Sequence, residues 1–181
     1  MNKQTEKDIQ EALDETFLPD EYEVPAGEDR YMKFEMGENK FRILASPILG
    51  WEYWNADEKG GRKPLRFRMD EEIDVSTLDE PDKAKHFWAM PVWNYKQEKV
   101  QILEITQKGI QRTLRALAKD KEWGSPLEYN ISVVRTGESL QTVYETMPSP
   151  HKPLDEKIKK AYEATDIKLE KLFDGDDPFV K

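Results

Sequence analysis

Aromatic and basic side chains interleave in two stretches of this chain. Trp51, Tyr53 and Trp54 lie within four residues, Phe67 sits between Arg66 and Arg68, and Phe87, Trp88, Trp93 and Tyr95 fall in one sparsely charged run. Lys40, Arg42, Arg62, Lys63, Lys96 and Lys99 flank these rings. Flat rings stack on unpaired bases at about 1–3 kcal/mol per base, and neighbouring cations displace counterions from phosphates. The competing use of the rings is as core, since a small β domain needs large inward side chains. Alternation separates the two uses only in part. From Phe87 to Tyr95, one parity reads Phe87, Ala89, Pro91, Trp93 and Tyr95, the other Trp88, Met90, Val92 and Asn94, so both faces are apolar at their centre. Trp51, Trp54 and Trp93 are the indoles singled out as stacking platforms. Trp123, at the end of a helical pattern, is expected to pack.

Other chemistry finds no residues. There is no cysteine, so disulfides, thiolate metal sites and cysteine nucleophiles are excluded. His86 and His151 are far apart in sequence, and no phosphate loop, dinucleotide fingerprint or nucleophile elbow occurs. Asp70, Glu71, Glu72 and Asp74 offer oxygens to a hard cation, as a metal-dependent nuclease would need, but a consecutive acidic run in a loop is normally solvated. The expectation is a binding protein with no catalytic residue, metal or cofactor.

Strands must hold these rings. Phe41, Ile43 and Ala45 alternate with Arg42 and Leu44, and after Pro47 the pattern resumes from Leu49 to Trp54, which reads as one long strand bent at Pro47 and Gly50. Gly60-Gly61 makes a turn into an inserted strand, Leu65 to Met69, followed by the acidic loop Asp70–Asp82. His86–Tyr95 and Lys99–Ile105 form a hairpin. Thr106 is the expected N-cap of a helix carrying Ile110, Leu114 and Leu117, and Tyr129–Arg135 pairs with Leu140–Met147 in a second hairpin. Three strand regions, a helix and two strands is the order of a five-stranded OB-type barrel with its helix between strands 3 and 4.

Net charge is −9, yet its distribution leaves room for a polyanionic partner. Residues 1–29 hold ten acidic and two basic side chains, and residues 154–181 hold eight and six. The middle is slightly positive even though it contains the seven carboxylates of Asp70–Asp82. The division expected is an acidic mobile arm (1–30) with helical spacing at Ile9 and Leu13, an OB-type domain (31–150), a C-terminal helix (151–173) and an acidic disordered tail (174–181). No leader pattern or bilayer-length apolar run occurs in the sequence, so a cytoplasmic location without membrane contact is expected.

Several stretches resemble the single-stranded DNA-binding proteins of tailed phages and prophages: Phe34–Leu44, Gly50–Trp54, Lys85–Val92, Val100–Thr106 and Trp123–Tyr129. The resemblance implies an OB-fold that coats single-stranded DNA during replication, recombination or repair, in a bacterial host's cytoplasm. The tip Asp174-Gly-Asp176-Asp177-Pro178-Phe179 is similar to the acidic Pro-Phe tip of bacterial single-stranded DNA-binding proteins. That likeness implies recruitment of replication or recombination proteins, although Val180 and Lys181 displace the terminal carboxylate from the ring. An OB-type module that receives a polypeptide, as in virion assembly, satisfies the same strand pattern without nucleic acid.

Overall fold

β5, Lys85–Asn94, is the axis of the molecule: every residue from Phe87 to Asn94 except Trp88 is buried, and Trp88 is half-buried. The computed structural model describes residues 29–180; the arm helix expected near Ile9 and Leu13 lies outside them. The other strands are β1 (Tyr31–Met32), β2 (Gly37–Ile43), β3 (Ile48–Ala56), β4 (Arg62–Arg68), β6 (Lys99–Ile105), β7 (Ile131–Thr136) and β8 (Val143–Pro148). Helix α1 (Lys108–Lys119) follows β6, and α2 (Glu156–Glu163) follows β8.

The protein is mainly β, built on one mixed eight-stranded sheet of order β1-β6-β5-β2-β7-β8, with β3 and β4 branching from β5 beside β2. The helix between the third and fourth expected strand regions, both hairpins and the inserted strand β4 are present. The closed five-stranded barrel is not. The parallel pairing of Tyr31 with Ile102 and Met32 with Leu103 takes up the outer edge of β6 that a closing strand would need, so β8 pairs only with β7. The long first strand is also divided, into β2 and β3, because Ala45–Pro47 leaves the ladder at the proline. Both halves still lean on β5, β2 through Phe41–Ile43 and β3 through Ile48–Glu52.

Two cores result, one on each face of β5, which explains its double apolar parity. On one face Met90 and Val92 join Phe41, Ile43, Leu103 and Ile131 under Ile110 and Leu114 of α1. On the other, Phe87, Ala89 and Ile102 are covered by Leu172, with Phe173 and Phe179 packed against them. Gly50 belongs to this second face and must lack a side chain: a Cβ there would sit 2.3 Å from the Phe67 carbonyl oxygen and about as close to Phe87 and Phe173 as atoms can approach.

The C-terminal segment therefore differs from the expected disordered tail. After α2 the chain makes a 3-10 turn at Leu169–Asp174, Ile167 bridges to Phe179, and the Lys168 and Val180 amides donate to the Pro178 and Asp166 carbonyls. Arg30 pairs with Asp177 and lies over the Phe179 ring, while Arg68 pairs with Glu170 and lies over Phe173. Apolar residues at Ile167, Leu169, Leu172, Phe173 and Phe179 outweigh the acidic composition that suggested a free tip. The N-cap of α1 is Gln107, not Thr106, and it makes no side-chain cap; instead Gln111 donates to the Ile105 and His86 carbonyls and ties the helix to β6 and β5. Among the described residues no helix is long and apolar enough to cross a membrane.

Candidate nucleic-acid interface

The ring and cation candidates separate into those the core claims and those left at the surface. Trp93 is 4% exposed, Tyr53 packs edge-on against Phe67 at 5.7 Å, and the half-buried Trp88 joins the α1 core. Trp51 leans on His86 at 5.3 Å. His86 accepts the Trp88 indole N–H at Nε2 (3.1 Å), so its Nδ1 donates to the Gly50 carbonyl (2.8 Å), fixing that ring in one tautomer. Half-buried Tyr95 donates its hydroxyl to Asn130 and lies beneath Lys40. These rings are structural in whole or part. Trp54 is different: it is 42% exposed, the most exposed indole of the chain's five.

The cations divide similarly. Arg42 is buried, with its guanidinium donating to the Leu127 carbonyl (3.0 Å) and the Lys152 carbonyl (2.8 Å), so it cannot reach a phosphate. Arg66 is enclosed too, 3.2 Å from Glu52 and 2.8 Å from Glu104. Arg68 is held by Glu170, Lys96 by Glu35 and Lys99 by Asp29. Lys40 and Lys63 remain exposed. Arg62 is more than half exposed and braced, donating to the Trp54 carbonyl (2.8 Å) and to Glu80 (2.9 Å).

Trp54 stands between two hollows. One, of about 470 Å³, is lined by Trp54, Arg62, Glu80, Lys83 and Lys85. Glu80 lies between Lys83 and Arg62, whose hydrogen bonds hold its carboxyl below the ordinary range, so three cations face one ionised carboxylate. The other, of about 570 Å³, lies at the seam where the sheet stays open; Phe34 and Tyr144 line it opposite Trp54 and Pro64. Its polar floor is Arg66 and Glu104. The Trp54 indole N–H donates to Glu52 (3.0 Å), which anchors the ring from below while its face stays in solvent.

Beneath the ring, Glu52, Arg66 and Glu104 form a buried group with two carboxyls and one guanidinium. Burial, and then the adjacent Glu52 carboxyl, push Glu104 up to about 8, with Arg66 opposing. Glu52 Oε2, though 3.2 Å from Arg66 Nε, and Glu104 Oε1 are both buried and accept no aligned hydrogen bond. With its value pushed up, the Glu104 carboxyl holds its proton more readily than an ordinary one, which makes the floor less negative beneath a polyanion.

Lys33 follows β1, Lys83 lies in the turn before β5 and Lys85 is the first residue of β5, so these lysines sit at the margins of the aromatic stretches and escape the sequence pattern. Glu52 and Glu104 did leave a signal, each being a carboxylate on a strand parity otherwise apolar or aromatic. In the acidic loop, Asp74 caps the turn at Ser76 and Asp79 accepts the Ala56 amide, so both serve local structure. Among the described residues no group of three or more His, Cys, Asp or Glu side chains is arranged to hold a metal ion. Asp174 and Asp176 are exposed, whereas Pro178 is buried and the Phe179 ring is already packed, so this ring is not free for a partner's pocket. Compared with family models, with curated proteins and with solved structures, the chain matches none.

Proposed function

We propose that the protein binds single-stranded DNA without sequence preference, over the surface centred on Trp54, in phage-type replication, recombination or repair. The observation that carries this reading is an exposed, hydrogen-bonded indole between two hollows, with Arg62, Lys83 and Lys85 along one side and Lys33 at the other. That combination supplies one stacking platform and a cationic track on either side of it. The reading is narrower than the sequence pattern, because Arg42, Tyr53 and Trp93 serve the core. The strand pairing is compatible with an opened OB-type arrangement: β2 and β3 share β5, β5 pairs β6, the helix follows, and β7 returns to β2.

The test is the anisotropy of labelled oligothymidine titrated with protein at several salt concentrations. Binding is expected to weaken as salt rises, with a logarithmic slope of about −0.7 per phosphate neutralised. Trp54→Ala should lose about 1–3 kcal/mol of binding while leaving the fold intact, since the indole belongs to neither core. Oligothymidine binding that is absent at low salt, or unaltered in Trp54→Ala, defeats the reading; in the latter case the ring is more plausible as a platform for a polypeptide.

A further inference from the structure

We infer that the seam hollow is a pocket for a single nucleobase, turned out of the strand that crosses Trp54. This rests on the single-stranded DNA reading and adds to it a specific place for one base. At about 570 Å³ the hollow falls in the range of small-molecule sites, and its side walls are rings: Trp54, Pro64, Phe34 and Tyr144. A planar ligand suits such walls, because each offers a flat apolar face.

An apolar slot alone would not distinguish a base from any other ring. This one also offers polar groups to the edge of a base. Tyr31 and Met32 line it, and the outer edge of β1 pairs with no strand among the described residues, so backbone donors and acceptors stand available there. The floor is Arg66 with the Glu104 carboxyl, which that guanidinium holds at 2.8 Å. A polar floor whose carboxyl is paired with a guanidinium accepts the edge of a base without repelling the phosphate that follows it. Lys33, exposed and without an ion pair among the described residues, lines the same hollow, where that phosphate would pass. The indole's hydrogen bond to Glu52 fixes one wall beforehand, which lowers the ordering cost of closing on a ring.

Gln107, the N-cap of α1, lines this hollow and not the cationic one on Trp54's other side. Gln107→Trp should fill the pocket and leave that other side and its cations in place. The expected result is a five- to hundredfold weaker affinity (about) for oligothymidine with an unchanged salt slope, because a base contact is lost and no phosphate contact is. In the unaltered protein, deoxythymidine monophosphate should shift the backbone amide resonances of Met32, Leu103 and Gln107. If the wild type fails to bind oligothymidine at all, the functional reading itself falls. If the wild type binds and Trp54→Ala weakens it, but Gln107→Trp binds like wild type or the nucleotide shifts only Lys83 and Lys85, the strand crosses the surface without inserting a base and this inference alone is overturned.

Discussion

Glu104→Gln should flatten the dependence of stability on pH above the ordinary carboxylate range. In the folded protein the Glu104 carboxyl is pushed up to about 8, from an ordinary value of 4.5, by burial and by Glu52 beside it. The folded state therefore holds a proton that the unfolded chain has released. Stability from this group is full below the ordinary value and is lost as pH rises toward about 8, by about 1.4 kcal/mol per pH unit. The whole window sets a ceiling of about 5 kcal/mol. Glu104 keeps 18% of its side-chain surface exposed at the hollow and can turn toward water once ionised, so the loss expected between about pH 5.5 and 8.5 is about 2–3 kcal/mol. Glutamine has the same shape, carries no charge, can accept from Arg66 and can donate to Glu52. Urea unfolding of both proteins across that range reads the effect, and subtracting one curve from the other removes contributions common to both. Parallel curves would refute the argument, for they would mean that Glu104 ionises as freely in the fold as outside it.

Other substitutions probe the parts that hold this surface. Arg42→Ala should cost about 2–4 kcal/mol in denaturant unfolding, because it strands the Leu127 and Lys152 carbonyls; a near-neutral result would show that water replaces the guanidinium. Gly50→Ala should lower the melting temperature by the equivalent of about 2 kcal/mol or more, since its Cβ would meet the Phe67 carbonyl. Ending the chain before Ile167 should uncover Phe87, Ala89 and Ile102, raising dye binding to exposed apolar surface and broadening thermal unfolding. A truncated protein as stable as the full chain would mean that the segment does not cover β5 in solution.

Much of the strand inventory was legible because alternation and turn residues act locally. The two hairpins, the helix after β6 and the inserted β4 follow from such local signals. Closure was not legible: whether β8 or Tyr31–Met32 takes the edge of β6 is decided by a two-residue strand that carries no periodic signal. The surface was read less well than the strands, for a related reason. Trp51, Tyr53 and Trp54 look equivalent in sequence, yet Tyr53 shares a face with Phe67 while Trp54 lies opposite Pro64 and is exposed. Arg42 sits on a strand with every mark of an outward cation, and only the return of the chain at Leu127 and Lys152 encloses it. The acidic tip misled because composition weighs charge over a segment, whereas docking depends on a few spaced apolar anchors.

A strand sandwiched on both faces also orders events in time. During synthesis β5 can pair with β3 and β6 and receive α1 well before the final residues are made, but Phe87, Ala89 and Ile102 stay uncovered until Leu172 and Phe179 have been added. Completion of this face thus waits on the segment that carries Leu172 and Phe179. A chain interrupted before Leu172 carries an exposed greasy stripe, a ready target for chaperones and proteases.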